Sequence, residues 1–217
     1  MIKTTKPIVL ALWGKGGAGK TTTGLALASL AAAAGRRAVV LDADPQRSSS
    51  AWYQSSQMPL FAVHSTEVTS VPSLIERAKL RYDMVIIDNP PARYSGTDRI
   101  AHIADISLIV ARPNVFDLTL ALEWVGIVRR NGADPLVALT AAPPQRQGMM
   151  APAVKAARAR LTKAGALVWS HQITQRQIHP ELIARGLSIA NLPEAALAHE
   201  DYKRLWVSLC RREENNG

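Results

Sequence analysis

The sequence predicts a single α/β domain over residues 1–217, with a mostly parallel, twisted sheet and helices on both of its faces. Short, almost wholly apolar runs recur along the chain, as expected of strands that are buried on both sides. Segments with helical spacing of apolar residues separate these runs, which is typical of repeated strand–helix–strand units. A length of 217 residues and a hydrophobic content of 47% fit one domain with a large core.

The residues that interrupt these runs set the predicted order of elements. The clearest buried strand is DMVIID at 83–88, because it is hydrophobic and β-branched until it ends in Asp88. Gly35 is a suitable C-cap for the first helix, and Pro113 follows the end of a later strand. The predicted strands are 8–13, 37–42, 60–64, 83–88, 106–111, 135–141 and 167–169. The predicted helices are 21–34, one starting at 48–50, 72–80, 118–130, 150–164, 180–185 and 195–212.

A glycine-rich turn lies between the first strand and the first helix. Residues 14–21, GKGGAGKT, fit the phosphate-binding pattern G-x-x-x-x-G-K-[ST]. Glycines let backbone N–H groups approach phosphate oxygens, and the following helix directs its positive end toward the same anion. Lys20 supplies a mobile positive charge, and the Thr21 hydroxyl is a suitable Mg²⁺ ligand. The predicted nucleotide contacts of this P-loop are Gly14, Lys15, Gly16, Gly17, Ala18, Gly19, Lys20, Thr21 and Thr22.

Carboxylates end two of the predicted strands. The carboxyl ends of parallel strands meet at one edge of the sheet, which is also the edge of the P-loop. We therefore predict that Asp88 holds Mg²⁺ directly or through water, the alternative being an acid that only caps its strand. Asp42 and Asp44 follow the second strand in the segment DADPQ. A carboxylate near the γ-phosphate can orient the attacking water and accept its proton late.

Together these segments resemble the ParA/MinD family of ATPases, which carry a deviant Walker A box. The signature of that family is an extra lysine inside the loop, and Lys15 stands in this position. DADPQ resembles the family's A′ box. The segment 88–91, DNPP, resembles its switch II, with Asn89 in place of the commoner threonine. The segment 110–117 resembles its post-strand proline loop, and the whole chain is closest to short partition ATPases of the ParF type.

The resemblance implies roles for individual residues. Lys15 would cross a dimer interface to the partner's ATP. Asp44 would position the attacking water and would also help Thr21 and Asp88 to hold Mg²⁺. Thr140 would contact adenine. Arg176 would lie near the base or the dimer interface, the alternative being an exposed loop arginine. The residues implied in catalysis are therefore Lys15, Lys20 and Asp44.

The formal net charge of +9 and a sequence pI of about 10.1 favour a polyanionic partner, nucleic acid before an anionic membrane. The segment 146–163 holds five basic residues and no acid, although such a run is often only a solvated helix face. We predict non-specific, salt-sensitive contacts with DNA phosphates. The predicted contact residues are Lys155, Arg158, Arg160, Lys163, Lys203 and Arg204.

The expected function is that of a ParA-type ATPase that dimerises with ATP, binds DNA non-specifically and segregates plasmids or chromosomes. Hydrolysis stimulated by a centromere-binding partner, ParB-like or ribbon–helix–helix, would release the DNA. One cysteine and the lack of a membrane-length apolar run favour a cytoplasmic, nucleoid-associated protein without membrane contact. The alternatives are a conjugation factor of the VirC type or a protein-cargo positioner, a MinD-like membrane regulator, and a small-molecule P-loop enzyme such as a dethiobiotin-synthetase-like ligase or a kinase.

Overall fold

The computed structural model describes residues 6–57, 59–193 and 196–216, with side chains as far as residue 212. Within these ranges, seven strands form one parallel sheet in the order β3-β2-β4-β1-β5-β6-β7. The strands are β1 (Ile8–Trp13), β2 (Ala38–Asp42), β3 (Ala62–Ser65), β4 (Met84–Asp88), β5 (Ile106–Ala111), β6 (Leu136–Ala142) and β7 (Leu167–Thr174).

In the described part of the chain, eight α-helices connect or follow these strands. They are α1 (Lys20–Ala33), α2 (Ser48–Ser55), α3 (Val71–Lys79), α4 (Thr97–Ile103), α5 (Val115–Arg130), α6 (Pro152–Lys163), α7 (Ile178–Ala184) and α8 (Leu197–Asn216). Two 3₁₀ turns occupy Val68–Ser70 and Ile189–Asn191. The predicted fold class, a parallel sheet with helices, is therefore confirmed.

Two cores cover the two faces of the sheet. Alternate residues of each strand point to opposite faces, so Leu10 and Leu12 of β1 join one core, while Val9 and Ala11 join the other. The first core packs against α1, α2, α7 and α8, and the second packs against α3, α4, α5 and α6. Both faces of the central strands are buried, which explains their apolar sequences.

Several element boundaries differ from the sequence-based prediction. Helix α4 was not predicted, because it is only seven residues long and follows a Ser-Gly turn. Strand β7 continues past residue 169 to Thr174. The prediction ended it at residue 169 because the exposed residues Ser170 and His171 interrupt its apolar run. Helix α5 begins at Val115 instead of 118, because the side chain of Asn114 accepts a hydrogen bond from the backbone N–H of Asp117.

The last helix packs against the sheet, as expected of a core helix. Leu205 and Leu209 of α8 are fully buried in the core that also contains α1. The predicted start of this helix, residue 195, lies outside the described residues, and the helix is observed from Leu197. Within the described ranges, no helix is both long enough and apolar enough to cross a membrane.

Candidate nucleotide site

The P-loop joins the carboxyl end of β1, in the middle of the sheet, to the first turn of α1. Gly14 has a φ of +140°, and a Cβ atom there would stand 2.2 Å from the carbonyl oxygen of Val110. Gly17 and Gly19 also have positive φ, at +75° and +93°. An L-residue at Gly14 would meet both backbone strain and a clash with β5, so this position requires glycine.

Lys20 lies inside this loop. Its side chain is buried, and Nζ donates a hydrogen bond to the Gly14 carbonyl at 3.1 Å. Burial lowers the pKa of Lys20, while the nearby Asp88 and Asp44 carboxylates oppose that shift. The hydrogen bond to Gly14 thus holds the Lys20 Nζ atom against the loop backbone that would surround a phosphate.

Asp88 ends β4 directly beneath the loop and is fully buried. Its Oδ2 atom accepts hydrogen bonds from the Thr21 hydroxyl at 2.7 Å and from the Ser49 hydroxyl at 2.8 Å. Burial raises the pKa of Asp88 to about 6, against the lowering effect of those two hydrogen bonds. Sequence reasoning found Thr21 but missed Ser49, because a serine in the run 48–50 has no motif to distinguish it.

This arrangement fits a magnesium ion. The buried Oδ1 atom of Asp88 has no hydrogen-bond partner among the described residues, and such an orphan oxygen suits a cation or its water. Thr21 and Asp88 would hold the ion, which would neutralise charge that develops on the transferred phosphate. The described part of the chain contains no cluster of three potential ligands from His, Cys, Asp and Glu. Nucleotide oxygens and water would have to complete the coordination shell.

The two aspartates after β2 have different surroundings. Asp42 is fully buried, and its Oδ2 atom accepts hydrogen bonds from the backbone N–H and the hydroxyl of Ser50 at 2.8 and 2.7 Å. It therefore fixes the first turn of α2. Asp44 lies two positions further into the loop, where its Oδ1 atom accepts a hydrogen bond from the Gln46 N–H at 2.9 Å. The catalytic prediction for Asp44 accordingly stays a prediction, and Asp42 supports the loop that carries it.

Asn89 follows Asp88 in the segment that resembles switch II. Its side-chain amide donates a hydrogen bond to the carbonyl of Leu12 at 3.0 Å, and the residue is buried. The amide thus ties the start of this segment to the end of β1. The substitution of asparagine for the commoner threonine therefore gives the segment an anchor of its own beside the P-loop.

Lys15 points away from its own loop. Its Nζ atom lies 3.8 Å from the Asp117 carboxylate and 5.5 Å from the centre of the Phe116 ring, and its side chain is 43% exposed. Val115 and Phe116, at the start of α5, are 65% and 77% exposed. A half-exposed cation beside two exposed apolar side chains forms the rim of the site.

A cleft of about 500 Å³ opens beside the P-loop. It is lined by Gly17, Ala18, Gly19, Thr22, Thr140, Ala141, Ile173, Gln175, Arg176, Gln177, His179, Pro180 and Tyr202. Thr140 donates its hydroxyl hydrogen to the Ala18 carbonyl at 2.6 Å, so it holds the loop. Arg176 lines the cleft and pairs with Asp201 at 3.2 Å, and its predicted place near the base or the dimer interface stays a prediction. Sequence reasoning missed Tyr202, which reaches the cleft from the distant α8.

The residues predicted to contact DNA flank β7, the strand at one edge of the sheet. Lys155 and Lys163 on α6 are exposed, as are Lys203 and Arg204 on α8, where Arg204 pairs with Glu200 at 3.2 Å. Arg160 is exposed and donates to the Thr119 hydroxyl at 2.8 Å.

Arg158 departs from the prediction. Its guanidinium donates to the carbonyl of Trp169 at 2.6 Å and to that of His171. Partial burial lowers the pKa of Arg158. It binds the outer edge of β7, so we no longer count it among the expected DNA contacts.

The fold and this site define a P-loop nucleotide-binding protein. A family profile described as the CobQ/CobB/MinD/ParA nucleotide binding domain matches residues 9–189, which is most of the chain. The protein belongs to this family, and the resemblance to ParA/MinD ATPases is confirmed.

Individual relatives agree with this assignment. The chain is 34% identical over 210 residues to the maintenance of carboxysome distribution protein A of Gloeobacter kilaueensis, with 94% of each chain covered. It is 29% identical over 124 residues to protein ParA of Rhizobium radiobacter, covering 56% of each.

Solved structures share the fold at low identity. The Cyanothece McdA(D38A)–ATP complex is similar at a TM-score of 0.75 and 16% identity, covering 96% of both chains. The cell division ATPase MinD of Pyrococcus furiosus gives 0.73 and 16%, covering 95% of this chain and 99% of its own. The protein is thus a ParA/MinD-family ATPase, of the kind involved in positioning or partition, and ATP is its cofactor.

Proposed function

We propose that this protein is an ATP-dependent, dimerising ATPase that binds DNA non-specifically in its ATP state and is released when a partner stimulates hydrolysis. The observation that carries the proposal is the position of Lys15. Its own loop already holds a buried lysine, Lys20, so a second cation at the rim is superfluous for one subunit. Next to the exposed Val115 and Phe116, it would be accessible to a second copy of the chain.

Each residue then has a part in a switch. The P-loop amides and Lys20 bind the phosphates, and the partner subunit's Lys15 would add charge from the other side. Asp44 would orient the attacking water, while Asp42 holds the loop through Ser50. ATP binding would thereby favour the dimer, and hydrolysis would remove the group that both subunits share.

The DNA surface would lie at the β7 edge of the sheet. The exposed lysines Lys155 and Lys163 would contact phosphates, with Lys203 and Arg204 extending the surface along α8. Contacts of this kind neutralise the backbone without reading bases, so affinity would fall steeply with salt. A protein with this surface would associate with the nucleoid in the cytoplasm.

Two kinds of cargo, DNA and a protein assembly, are compatible with such an ATPase. Plasmid or chromosome partition would require a ParB-like or ribbon–helix–helix centromere-binding partner, and the relative named ParA supports this choice. A protein assembly is the second candidate, because the relative that matches over 94% of both chains is named for carboxysome distribution. In either case the ATPase would use the same dimer and the same DNA surface.

The switch can be tested by measuring DNA binding and oligomeric state with ATP, with ADP and without nucleotide. We expect dimers and DNA binding only with ATP, no ATP dimer for Lys15→Ala, and a persistent ATP dimer for Asp44→Ala, which would bind but not hydrolyse. A protein that stays monomeric with ATP, or binds DNA equally in all three states, would contradict the proposal. Co-sedimentation with anionic liposomes tests the membrane alternative in the same samples.

Cargo requires a separate test in cells. A fluorescent fusion would be followed together with a resident plasmid and with labelled protein assemblies, in wild-type and Lys15→Ala strains. Loss of plasmid inheritance in the variant would support DNA partition. Clustering of a protein assembly with stable plasmid inheritance would support the second candidate.

A further inference from the structure

The Asp117 carboxylate is a buried charge that already has a partner of its own. Its side chain is 0% exposed, at the start of α5. Arg112 donates to Oδ2 from Nε at 2.7 Å, to Oδ1 from Nη2 at 3.1 Å and to Oδ2 from its backbone N–H at 3.2 Å. Such a two-pronged guanidinium–carboxylate pair is among the strongest that side chains form.

Lys15 is the second cation within 4 Å of Asp117 in the described part of the chain, and it is held much more loosely. Its Nζ atom lies 3.8 Å from Oδ1, which is too long for a hydrogen bond, and its side chain is 43% exposed. Both oxygens of Asp117 are already occupied by Arg112. Removing Lys15 from this position would therefore leave no unpaired charge behind.

We propose that Arg112 is a positioning residue that keeps Lys15 available to a second subunit by satisfying Asp117 in its place. This inference rests on the proposed function, in which Lys15 reaches the partner's nucleotide. Without Arg112, the buried Asp117 would need another cation, because an unpaired buried carboxylate is costly. Lys15 stands within reach and would be drawn into its own subunit.

The electrostatics of Asp117 and Arg112 agree with this division of roles. The Arg112 hydrogen bonds hold the pKa of Asp117 below its usual range even though burial acts in the opposite direction, so the carboxylate is charged at neutral pH. The same contact raises the pKa of Arg112. The carboxylate therefore always requires a counter-charge, and Arg112 always carries one.

The decisive variants are Arg112→Gln and the double variant Arg112→Gln/Asp117→Asn. Glutamine keeps a hydrogen-bond donor but loses the charge, and the second substitution removes the carboxylate that would trap Lys15. We expect ATP-dependent dimerisation, measured by sedimentation, to weaken about 10-fold in the single variant and to recover in the double variant. Arg129→Ala, which breaks a surface arginine–aspartate pair with Asp134, is the matched control and should dimerise as the wild type does.

A second measurement follows Lys15 without using the dimer. An amine-reactive label quantified by mass spectrometry should modify Lys15 several-fold more slowly in the nucleotide-free Arg112→Gln monomer. The carboxylate would then hold Lys15 in an ion pair inside its own subunit, where the reagent reaches it less easily. Labelling should return to the wild-type rate in the double variant. Because this measurement needs no dimer, it separates the role of Arg112 from the proposed function.

Two results would overturn the inference. Equal Lys15 labelling in the wild type and Arg112→Gln would show that Arg112 does not control the lysine. A dimerisation loss that the double variant fails to repair would show that Arg112 acts directly, for example through Nη1, which lies 3.8 Å from where a Cβ of Gly17 would stand. If the wild type itself stays monomeric with ATP, the proposed function fails, and the labelling result still decides the role of Arg112.

Discussion

Charged side chains gather at two places on this sheet, but in opposite ways. One is the nucleotide edge, where the P-loop lies at the carboxyl ends of the strands, and the other is the β7 edge, along the last strand of the sheet. At the nucleotide edge, Lys20 and Asp88 are buried and their partners are fixed by hydrogen bonds. At the β7 edge, Lys155 and Lys163 are exposed and hold no position by burial. Charges of the first kind are costly to bury and must be arranged by the fold, whereas charges of the second kind are left to solvent or to a partner.

Arg158 shows that residue type does not tell charges that are fixed by the fold from charges that are left to solvent or a partner. It belongs to the same basic helix as Lys155, yet it binds the outer edge of β7 and is partly buried. An edge strand that offers free carbonyl groups can pair with another chain, and a charged side chain across it prevents this. Position against the sheet, and not charge alone, therefore decides which cations of α6 can meet a ligand.

The largest effect is expected at the nucleotide edge, from Gly14→Ala. The new Cβ would stand 2.2 Å from the Val110 carbonyl oxygen at a φ of +140°, so strain and overpacking add. We expect a loss of about 3 kcal/mol or more in the free energy of unfolding, measured by urea denaturation, and no ATP binding. Gly35→Ala is the control. It also has a positive φ but no atom within 4 Å, so it should lose only about 1 kcal/mol.

Asp88→Asn should have the opposite effect on stability. Because the folded-state pKa of about 6 lies above the usual value of 3.8, the folded protein binds the proton more tightly than the unfolded chain. The charge therefore destabilises the nucleotide-free protein above pH 6, and this cost disappears as pH falls toward 4. Asparagine should raise the free energy of unfolding by about 3 kcal/mol at pH 7.5 and by less than about 1 kcal/mol at pH 4.

The same substitution should remove the magnesium dependence of ATP binding, which fluorescent ATP analogues can measure with and without chelator. For the free energy of unfolding, the measurement at pH 4 is the control for the measurement at pH 7.5. An equal change in stability at both pH values would mean that the carboxylate carries no buried charge. A larger change at pH 7.5 than at pH 4 would mean that the buried Asp88 charge, which prepares the site for a ligand, lowers the stability of the nucleotide-free protein.

The nucleotide edge was predictable because its chemistry fixes both residue types and spacing. A phosphate requires glycines and a lysine in one short loop, and parallel strands bring Asp88 to that loop from 67 residues away. Ser49 and Tyr202 were not predictable, because their roles follow from how α2 and α8 pack, and packing leaves no local pattern. The different roles of Arg158 and the lysines on α6 depend in the same way on packing, because β7 continues past residue 169 and offers its carbonyl groups to Arg158.

Arg158→Ala should lower stability without affecting DNA binding. Its removal takes the hydrogen-bond donors from the Trp169 and His171 carbonyls, which water replaces in part. We expect a loss of about 1 kcal/mol in the free energy of unfolding. The slope of DNA affinity against salt should not change. A shallower slope would place Arg158 at the DNA after all and would return it to the surface that the sequence predicted.

The double variant Lys155→Ala/Lys163→Ala should show the reverse behaviour and the smallest effect on stability. Both lysines are exposed, so the free energy of unfolding should change by less than about 0.5 kcal/mol. If each contacts one phosphate, the slope of log affinity against log salt for the ATP-bound protein should become shallower by about 2 per subunit. An unchanged slope would place the DNA elsewhere than at α6. Paired with Arg158→Ala, this variant shows whether one helix divides its cations between holding the sheet and meeting the polyanion.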